Sequence, residues 1–584
     1  MREKVITGGP FIAFTRYDEK GVTKIRGGEE ICKKVIGLDC SSMYLECTAR
    51  EMATGWYTLR EKKDGYRQQS RFSKESIQWL EHLSKERGIH IRHEYNDPLG
   101  ERRIGPFKVD GYCEETKTVF EYNGCYYHGH CGENYNAAKW SKTLERENTL
   151  REMGYDVESI TSCQWHEDPR SQVWYATNNI PCTMDDIIQG VNSDELFGFV
   201  KLSLHVPEHL TSVYSEFPPI FKNTSIELED IGETMQKFCL DTDRKTGVKR
   251  SLISSMFGKD IVISTPLMKK YLQMGLVIDN IEWILDYQAK TCFSWFRDKV
   301  IEGRRKSDLD PDYAIIGECL KTLGNAFYGG TLIDRTKHTS VRIVGEDRIS
   351  NHISSPQFKT MVELNDNFYE VEKSRKSVKH NTPITVGIAV YSYAKIILIE
   401  FWEFINKFLL KEKYELLYCD TDSLYLAISE DRLDQCVKPN LIEEWQQEKY
   451  KFLTYDDQTL MEFDGKQVTR KQYDKRTPGK FKPEFEGDGL VALNSKVVHA
   501  WGEDEEGPKS KTSCKGTNKW RNLFCKEHFL SVLMTQIPEV VTNSGFIKDS
   551  TTIKTYTQKK QGLGFFYAKR KVLSDGISTT HLDI

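Results

Sequence analysis

The sequence predicts a mixed α+β chain of several domains, with an acid-bearing antiparallel sheet and a small inserted α/β segment. Three observations predict it. The first is Leu416-Leu417-Tyr418-Cys419-Asp420-Thr421-Asp422-Ser423-Leu424-Tyr425-Leu426. Two apolar runs flank a short acidic tip, the pattern of a β-hairpin with carboxylates at its turn. The second is helical periodicity: Lys321, Asn325 and Tyr328 fall at i, i+4 and i+7, and an apolar helical pattern runs over 383–410. The third is the order acid, strand, acid, helix, strand over 105–160.

Composition narrows the function classes. The chain has 584 residues, a net charge of -4 and 15 scattered cysteines. With no secretory leader pattern, those cysteines predict a reducing, intracellular setting. No apolar run reaches about 18 residues, and the longest, 394–408, is interrupted by Glu400 and Glu403, so no membrane partner is expected. Charge is uneven along the chain. Residues 466–526 carry 14 Lys/Arg against 8 Asp/Glu, and 548–571 carry 7 against 1. That basic C-terminal part predicts a polyanion partner.

Taken in order, residues 1–34 are polar and turn-rich. Val35-Ile36-Gly37-Leu38-Asp39 reads as a strand ending in an acid, followed by Cys40-Ser41-Ser42-Met43-Tyr44. A helix is expected over 73–87. Next comes a hairpin that places Asp110 and Glu121 at comparable depth, then a helix over 141–153 and a strand over 157–160. Cys125, His128, His130, Cys131 and Cys163 offer soft ligands, four of which would hold a structural Zn²⁺. A strand, a cap and a helix follow over 263–276. A basic amphipathic helix over 293–306 leads to the Lys321 helix, and Arg304 or Arg305 would join Lys321 in neutralising phosphate charge. The choice between those two arginines stays open. Residues 331–380 read as polar strands and turns, and the 383–410 helix would brace the acidic hairpin. A second Asp-Thr-Asp, at Asp241-Thr242-Asp243, lacks a following apolar strand and reads as a surface turn.

Three of these stretches, in this order, resemble the polymerase motifs of family B DNA polymerases: Asp-x-x-Ser-Leu-Tyr, Lys-x-x-x-Asn-x-x-Tyr-Gly and Tyr-x-Asp-Thr-Asp-Ser. Met43 replaces the Leu, and Leu45 stands where Pro is usual. The wider chain, including Phe217-Pro218-Pro219-Ile220-Phe221-Lys222-Asn223, is similar to the protein-primed branch of Polinton/Maverick elements and adintovirus-like viruses.

The resemblance implies a right-hand fold. Its palm would begin at 1–64 and continue through a terminal-protein-region-like segment at 171–290. Fingers would occupy 291–335, the second part of the palm 336–465, and the thumb and DNA-contacting region 466–584. Asp39, Asp420 and Asp422 would be catalytic, with Asp39, Asp422 and the carbonyl of Cys40 on two Mg²⁺ ions, or Mn²⁺ in their place. Tyr44 would lie under the incoming sugar. Lys321, Asn325, Tyr328 and an arginine would hold the nucleotide, and Lys496, Lys511 and Lys515 the primer and duplex. The primer-binding Lys-x-Tyr of the family is matched at Lys496, but Val498 stands in place of the Tyr. Template-primer DNA, dNTPs and a terminal protein primer would be the partners, in the nucleus or at a viral replication site. Family members carry an exonuclease domain ahead of the first motif. The 38 residues before Asp39 leave no room for one, so a polymerase that does not proofread by itself is expected.

Residues 65–170 resemble restriction-endonuclease-like folds, and Asn123-Gly124-Cys125-Tyr126-Tyr127-His128-Gly129-His130-Cys131 resembles the very-short-patch-repair endonucleases. There Asp110 and Glu121 would be the nuclease acids, although Asn123 takes the place of the usual Lys. The leading expectation is a DNA-templated DNA polymerase. The alternatives are an endonuclease acting through the insert and an inactive DNA-binding remnant.

Overall fold

The apolar runs around Thr421 form strands, and they lie inside a larger sheet. The computed structural model describes residues 6–66, 73–97, 99–167, 182–244, 249–379, 381–505, 507–518, 522–549 and 552–584. The boundary expected at 170/171 lies outside them. The fold is mixed α/β and divides into two compact units, one of residues 1–49, 208–257 and 293–584, the other of 50–207 and 258–292.

The first unit is organised on a five-stranded antiparallel sheet. Its strand order is Phe11–Ala13, Tyr414–Asp420, Ser423–Ile428, Lys34–Cys40 and Phe481–Gly487. Every residue of Ser423–Ile428 is buried, as the unbroken apolar run requires for a strand covered on both faces. Helix Ile384–Phe408 braces the sheet: Phe401 stacks on Phe481 at 3.7 Å, and Trp402 meets Tyr414 edge-on at 6.1 Å. Among the described residues it is the one helix long and apolar enough to cross a membrane. It matches the helix expected over 383–410. Most of its residues are buried within the unit, which accounts for a helix apolar nearly all round.

A second antiparallel sheet has the order Tyr17–Glu19, Gly489–Asn494, Val497–Asp504 and Gly507–Cys514. One core joins the two sheets and includes Leu417, Tyr418, Leu490, Val491, Phe529 and Phe565. Residues far apart in sequence close it. The Ala13 N–H donates to the Tyr567 hydroxyl at 2.9 Å. Buried Arg16 donates to the carbonyls of Gly576, Leu493 and Phe565 at 2.9, 3.0 and 2.6 Å.

Helices Ser294–Leu309 and Ala314–Thr331 pair through a turn that Asp310 caps. A three-stranded sheet follows, Thr339–Gly345, Phe368–Ser374 and Phe358–Asn365 in that order. Helix Glu346–Ile353 joins its first and second strands along the chain. The region read as polar strands and turns is therefore a built element. The C-terminal part carries a long hairpin of Glu539–Asp549 and Thr552–Leu563. Asp241 ends helix Glu233–Asp241, and Thr242 and Asp243 are exposed beyond it, as a surface turn.

In the second unit, strands Phe257–Ser264, Gly198–His205, Val277–Thr291 and Glu51–Glu61 form one sheet. The first of them begins at the unit boundary. Ser264 caps helix Thr265–Gln273 by accepting from the Leu267 N–H. The insert has its own sheet, Asp156–Thr161, Thr118–Asn123, Gly111–Cys113 and Arg92–His93, of which the first pair is parallel. Helix Lys74–Arg87 is capped by Ser73, and Trp79, Leu80 and Leu83 pack with Phe120. Helix Ala137–Glu152 begins before the expected 141 because the Asn136 side chain accepts from the Lys139 N–H. Its Leu150 packs with Val109, Tyr112 and Val119.

Candidate active site and candidate metal centre

Register places the acids. Asp39 pairs with Ser423 on one side and Lys482 on the other, and Ser423 pairs in turn with Asp420, which pairs with Phe11. Directly paired residues share a face of a sheet. Asp420 and Asp39 therefore stand at one level of one face, two strands and about 10 Å of backbone apart. Asp422 lies at the turn between them. Its N–H donates to the Asp420 carbonyl at 2.6 Å, and its carbonyl accepts from the Cys40 N–H at 2.8 Å.

The turn needs unusual backbone. Thr421 has φ of 64°, and its N–H donates to the Pro10 carbonyl at 2.7 Å. A Cβ on Gly9 would lie 2.6 Å from the Thr421 methyl, so the approach of residues 9–10 requires glycine there.

The acids are partly compensated. Lys482 Nζ is 3.1 Å from Asp39, and Lys496 Nζ is 2.5 Å from Asp420. Among the described residues Asp422 has no such cation. Burial, then the charges of Asp39 and Asp420, push its carboxyl up to about 7. Burial also raises Asp39, against the pull of Lys482. Asp39, Asp420 and Asp422 form a donor set suited to hard divalent cations. Among the described residues the three acids do not form a cluster with all ligand atoms within 4.8 Å of one another; Lys482 and Lys496 each hold one of them.

Beside the acids, Tyr44 on helix Met43–Thr48 stacks on Tyr328 with ring centroids 4.5 Å apart. Tyr391 stands edge-on to both, at 5.9 and 5.7 Å. Burial raises all three phenols, Tyr328 to about 12. A double-mutant cycle of Tyr44→Leu and Tyr328→Leu in urea unfolding is expected to give a coupling of about 1 kcal/mol; additive losses would contradict the stacking.

The two arginines separate. Arg304 Nη1 donates to the Ser42 hydroxyl at 3.1 Å, between Asp39 and Tyr44 in the chain. Arg305 lies over the Tyr473 ring at 3.6 Å and donates to the Tyr473 carbonyl and the Thr477 hydroxyl. Arg304 is thus the one directed at the acid-bearing loop. Lys321 pairs loosely with Glu318 at 3.5 Å, and Asn325 is exposed. Of the expected nucleotide-binding residues, Tyr44 and Tyr328 are in ring contact. Lys511 pairs with Glu484 at 2.5 Å, and Lys515 is exposed. Sequence reasoning missed Lys482, Tyr391 and Lys569. The last donates to the Phe11 carbonyl at 3.2 Å, and burial lowers its ammonium to about 8.

In the insert, Asp110 accepts from the Tyr122 N–H at 2.7 Å, and Glu121 pairs with Arg146 at 2.7 Å. Burial raises Asp110. Burial, with Asp110 nearby, pushes Glu121 up to about 8 and Glu101 up to about 7. Glu101 and Arg146 were not foreseen. Asn123 donates to Glu147 at 3.0 Å.

Cys125, His130, Cys131 and Cys163 bring their ligand atoms within 4.8 Å of one another, and this cluster could hold a metal ion. His130 Nδ1 is 3.9 Å from Cys125 Sγ and 3.5 Å from Cys163 Sγ, and the Cys125 and Cys131 sulfurs are 3.5 Å apart. Tetrahedral bonds to such ligands require edges of about 3.5–3.8 Å. Burial opposes ionisation of Cys125, but hydrogen bonds from Ser162, Cys163 and Cys131 outweigh it and bring the thiol down to about 6. His128, the fifth candidate, is turned away, with Nδ1 3.0 Å from the Thr143 hydroxyl.

No protein-family model matches this chain, and no curated protein sequence matches it either.

Proposed function

We propose that the chain is a DNA-templated DNA polymerase of the protein-primed family B type. On this reading the five-stranded sheet is the palm, the helix pair 294–331 the fingers and the C-terminal hairpin part of the thumb, while the insert is a restriction-endonuclease-like domain with a structural Zn²⁺. The observation that carries the reading is the meeting of three distant stretches. Asp39 and the Asp420/Asp422 turn share one level of one sheet, and the Tyr328 helix reaches them through Tyr44.

Asp39 and Asp422, with Asp420 and the Cys40 carbonyl beside them, would hold two Mg²⁺ ions, or Mn²⁺ in their place. When held there, such ions would supply Lewis-acid chemistry toward a primer 3′-hydroxyl and a departing pyrophosphate. The remaining work is positioning and charge neutralisation. Tyr44 sits under the sugar of the incoming dNTP and excludes a 2′-hydroxyl. Arg304 and Lys321 draw the triphosphate in, and Asn325 and Tyr328 line its base end. Lys496, already seated on Asp420, takes a primer-strand phosphate. Lys511 and Lys515 hold duplex phosphates, which fixes register without reading sequence. A hydroxyl of a terminal protein accepts the first nucleotide.

Wild type is expected to extend a labelled primer on a DNA template with Mg²⁺ and dNTPs, and Asp39→Asn is not. Absence of extension by wild type that still binds duplex would favour a DNA-binding remnant.

The Glu101, Asp110 and Glu121 group favours a second reading, in which the insert cuts DNA. Cleavage of unprimed duplex with Mg²⁺ would then be lost in Glu121→Ala and kept in Asp39→Asn.

A further inference from the structure

The three-stranded sheet after the helix pair carries an anion site of its own. Alternation along strands sends successive side chains to opposite faces. Ser340 pairs with Lys373 and Arg342 with Val371, whereas Val341 and Ile343 pair with Glu372 and Glu370. On this strand pair Arg342 and Lys373 therefore lie on one face and Glu370 and Glu372 on the other; Glu363 of the third strand, paired with Tyr369, shares the first face but does not line the cavity there. On the cationic face is a cavity of about 650 Å³. Arg342, Lys373, Arg375 and Lys376 line it, with His352, five serine or threonine hydroxyls and no carboxylate.

A run such as Arg375-Lys376 is ordinarily a solvated face. Two features set this one apart. None of the four cations has an ion-pair partner among the described residues, although Glu370 on the opposite face takes Lys548 at 2.7 Å. His352 Nδ1 is buried without a hydrogen-bond partner, and burial, with Lys373 and Arg342 beside it, holds the imidazole below its ordinary value. The C-terminus of helix Glu346–Ile353 attracts cations, but a helix end offers only about half a charge against four.

We infer that this cavity binds phosphate groups of a nucleic-acid strand, at a site separate from the three aspartates. Phosphate suits cations interspersed with hydroxyl donors. The lining has no Phe, Tyr or Trp ring on which a base could stack, so the backbone is recognised and the sequence is not.

The test is binding of a fluorescein-labelled oligothymidylate to the full chain in EDTA, across a salt series, with tripolyphosphate as a second ligand. Arg342→Ala/Lys373→Ala and Arg375→Ala/Lys376→Ala are each expected to weaken the oligonucleotide about tenfold and to lower the log–log salt slope by about 1.4. Glu372→Ala, on the opposite face, should leave both unchanged. The second double variant lies beyond the strand end and decides the matter if the first fails to fold. Wild-type affinity and slope in a folded double variant would overturn the proposal, as would loss of tripolyphosphate binding with oligonucleotide binding intact. Because EDTA keeps the aspartates out of play, failure here is distinct from failure of the polymerase reading.

Discussion

Asp422→Asn should lower the rate of primer extension at least about 10³-fold while leaving duplex binding within about twofold. The substitution keeps the shape of the turn, including the 2.8 Å bond from the Cys40 N–H to the carbonyl of residue 422, but removes a donor that two cations would share. The pH dependence gives a second readout. The Asp422 carboxyl sits near 7, so a divalent cation must displace a proton at lower pH. Wild-type affinity for Mg²⁺ should rise roughly tenfold per pH unit up to about 7 and then flatten, whereas the Asp422→Asn variant should lose that slope. In the metal-free protein the sign reverses. The folded chain keeps a proton on Asp422 that the unfolded chain releases above about 4. That contribution to stability is complete below about 4 and is lost as pH rises to about 7. Chemical denaturation across that window should show the decline in wild type and a shallower one in the variant. Turnover by the variant at the wild-type rate would refute the role given to Asp422.

The second large effect is expected in the insert. Cys163 lies on the short helix Ser162–Glu167 that follows strand Asp156–Thr161, and the other three ligands follow strand Thr118–Asn123. A metal there would tie the ends of two parallel neighbours together. Structural zinc in small domains contributes on the order of 10–16 kcal/mol of apparent binding energy. Cys163→Ser should therefore remove bound zinc, from about one ion per chain to none by elemental analysis, and abolish the insert's thermal transition. A chelator should do the same to wild type. His128→Ala, whose imidazole faces Thr143, should keep its zinc. Metal-free wild type with an unchanged transition would rule the centre out.

What the sequence made legible was local. Two apolar runs flank the polar tip at Asp420-Thr421-Asp422, so the hairpin and its acids followed from pattern alone. The four metal ligands cluster because three lie within seven residues and the fourth follows the parallel neighbour. Lys482 was not legible, since only the register of Phe481–Gly487 against Lys34–Cys40 sets it on Asp39. Tyr391 looks like one more apolar position on a helix that is buried nearly all round. Periodicity could not separate Arg304 from Arg305; the ring of Tyr473, far along the chain, does so. Glu101 and Arg146 meet the Asp110 and Glu121 carboxylates only because loop and helix fold back over the Asp110 hairpin.

The way Ala13 and Arg16 are held by residues 565–576 has a consequence for biogenesis. The edge strand of the acid-bearing sheet leaves the ribosome more than 540 residues ahead of these partners. Such separations are slow to close and keep strand edges open in the meantime. The nascent chain should therefore depend on chaperones until synthesis passes residue 576. A transcript truncated before Phe565 should yield aggregate rather than a smaller folded chain.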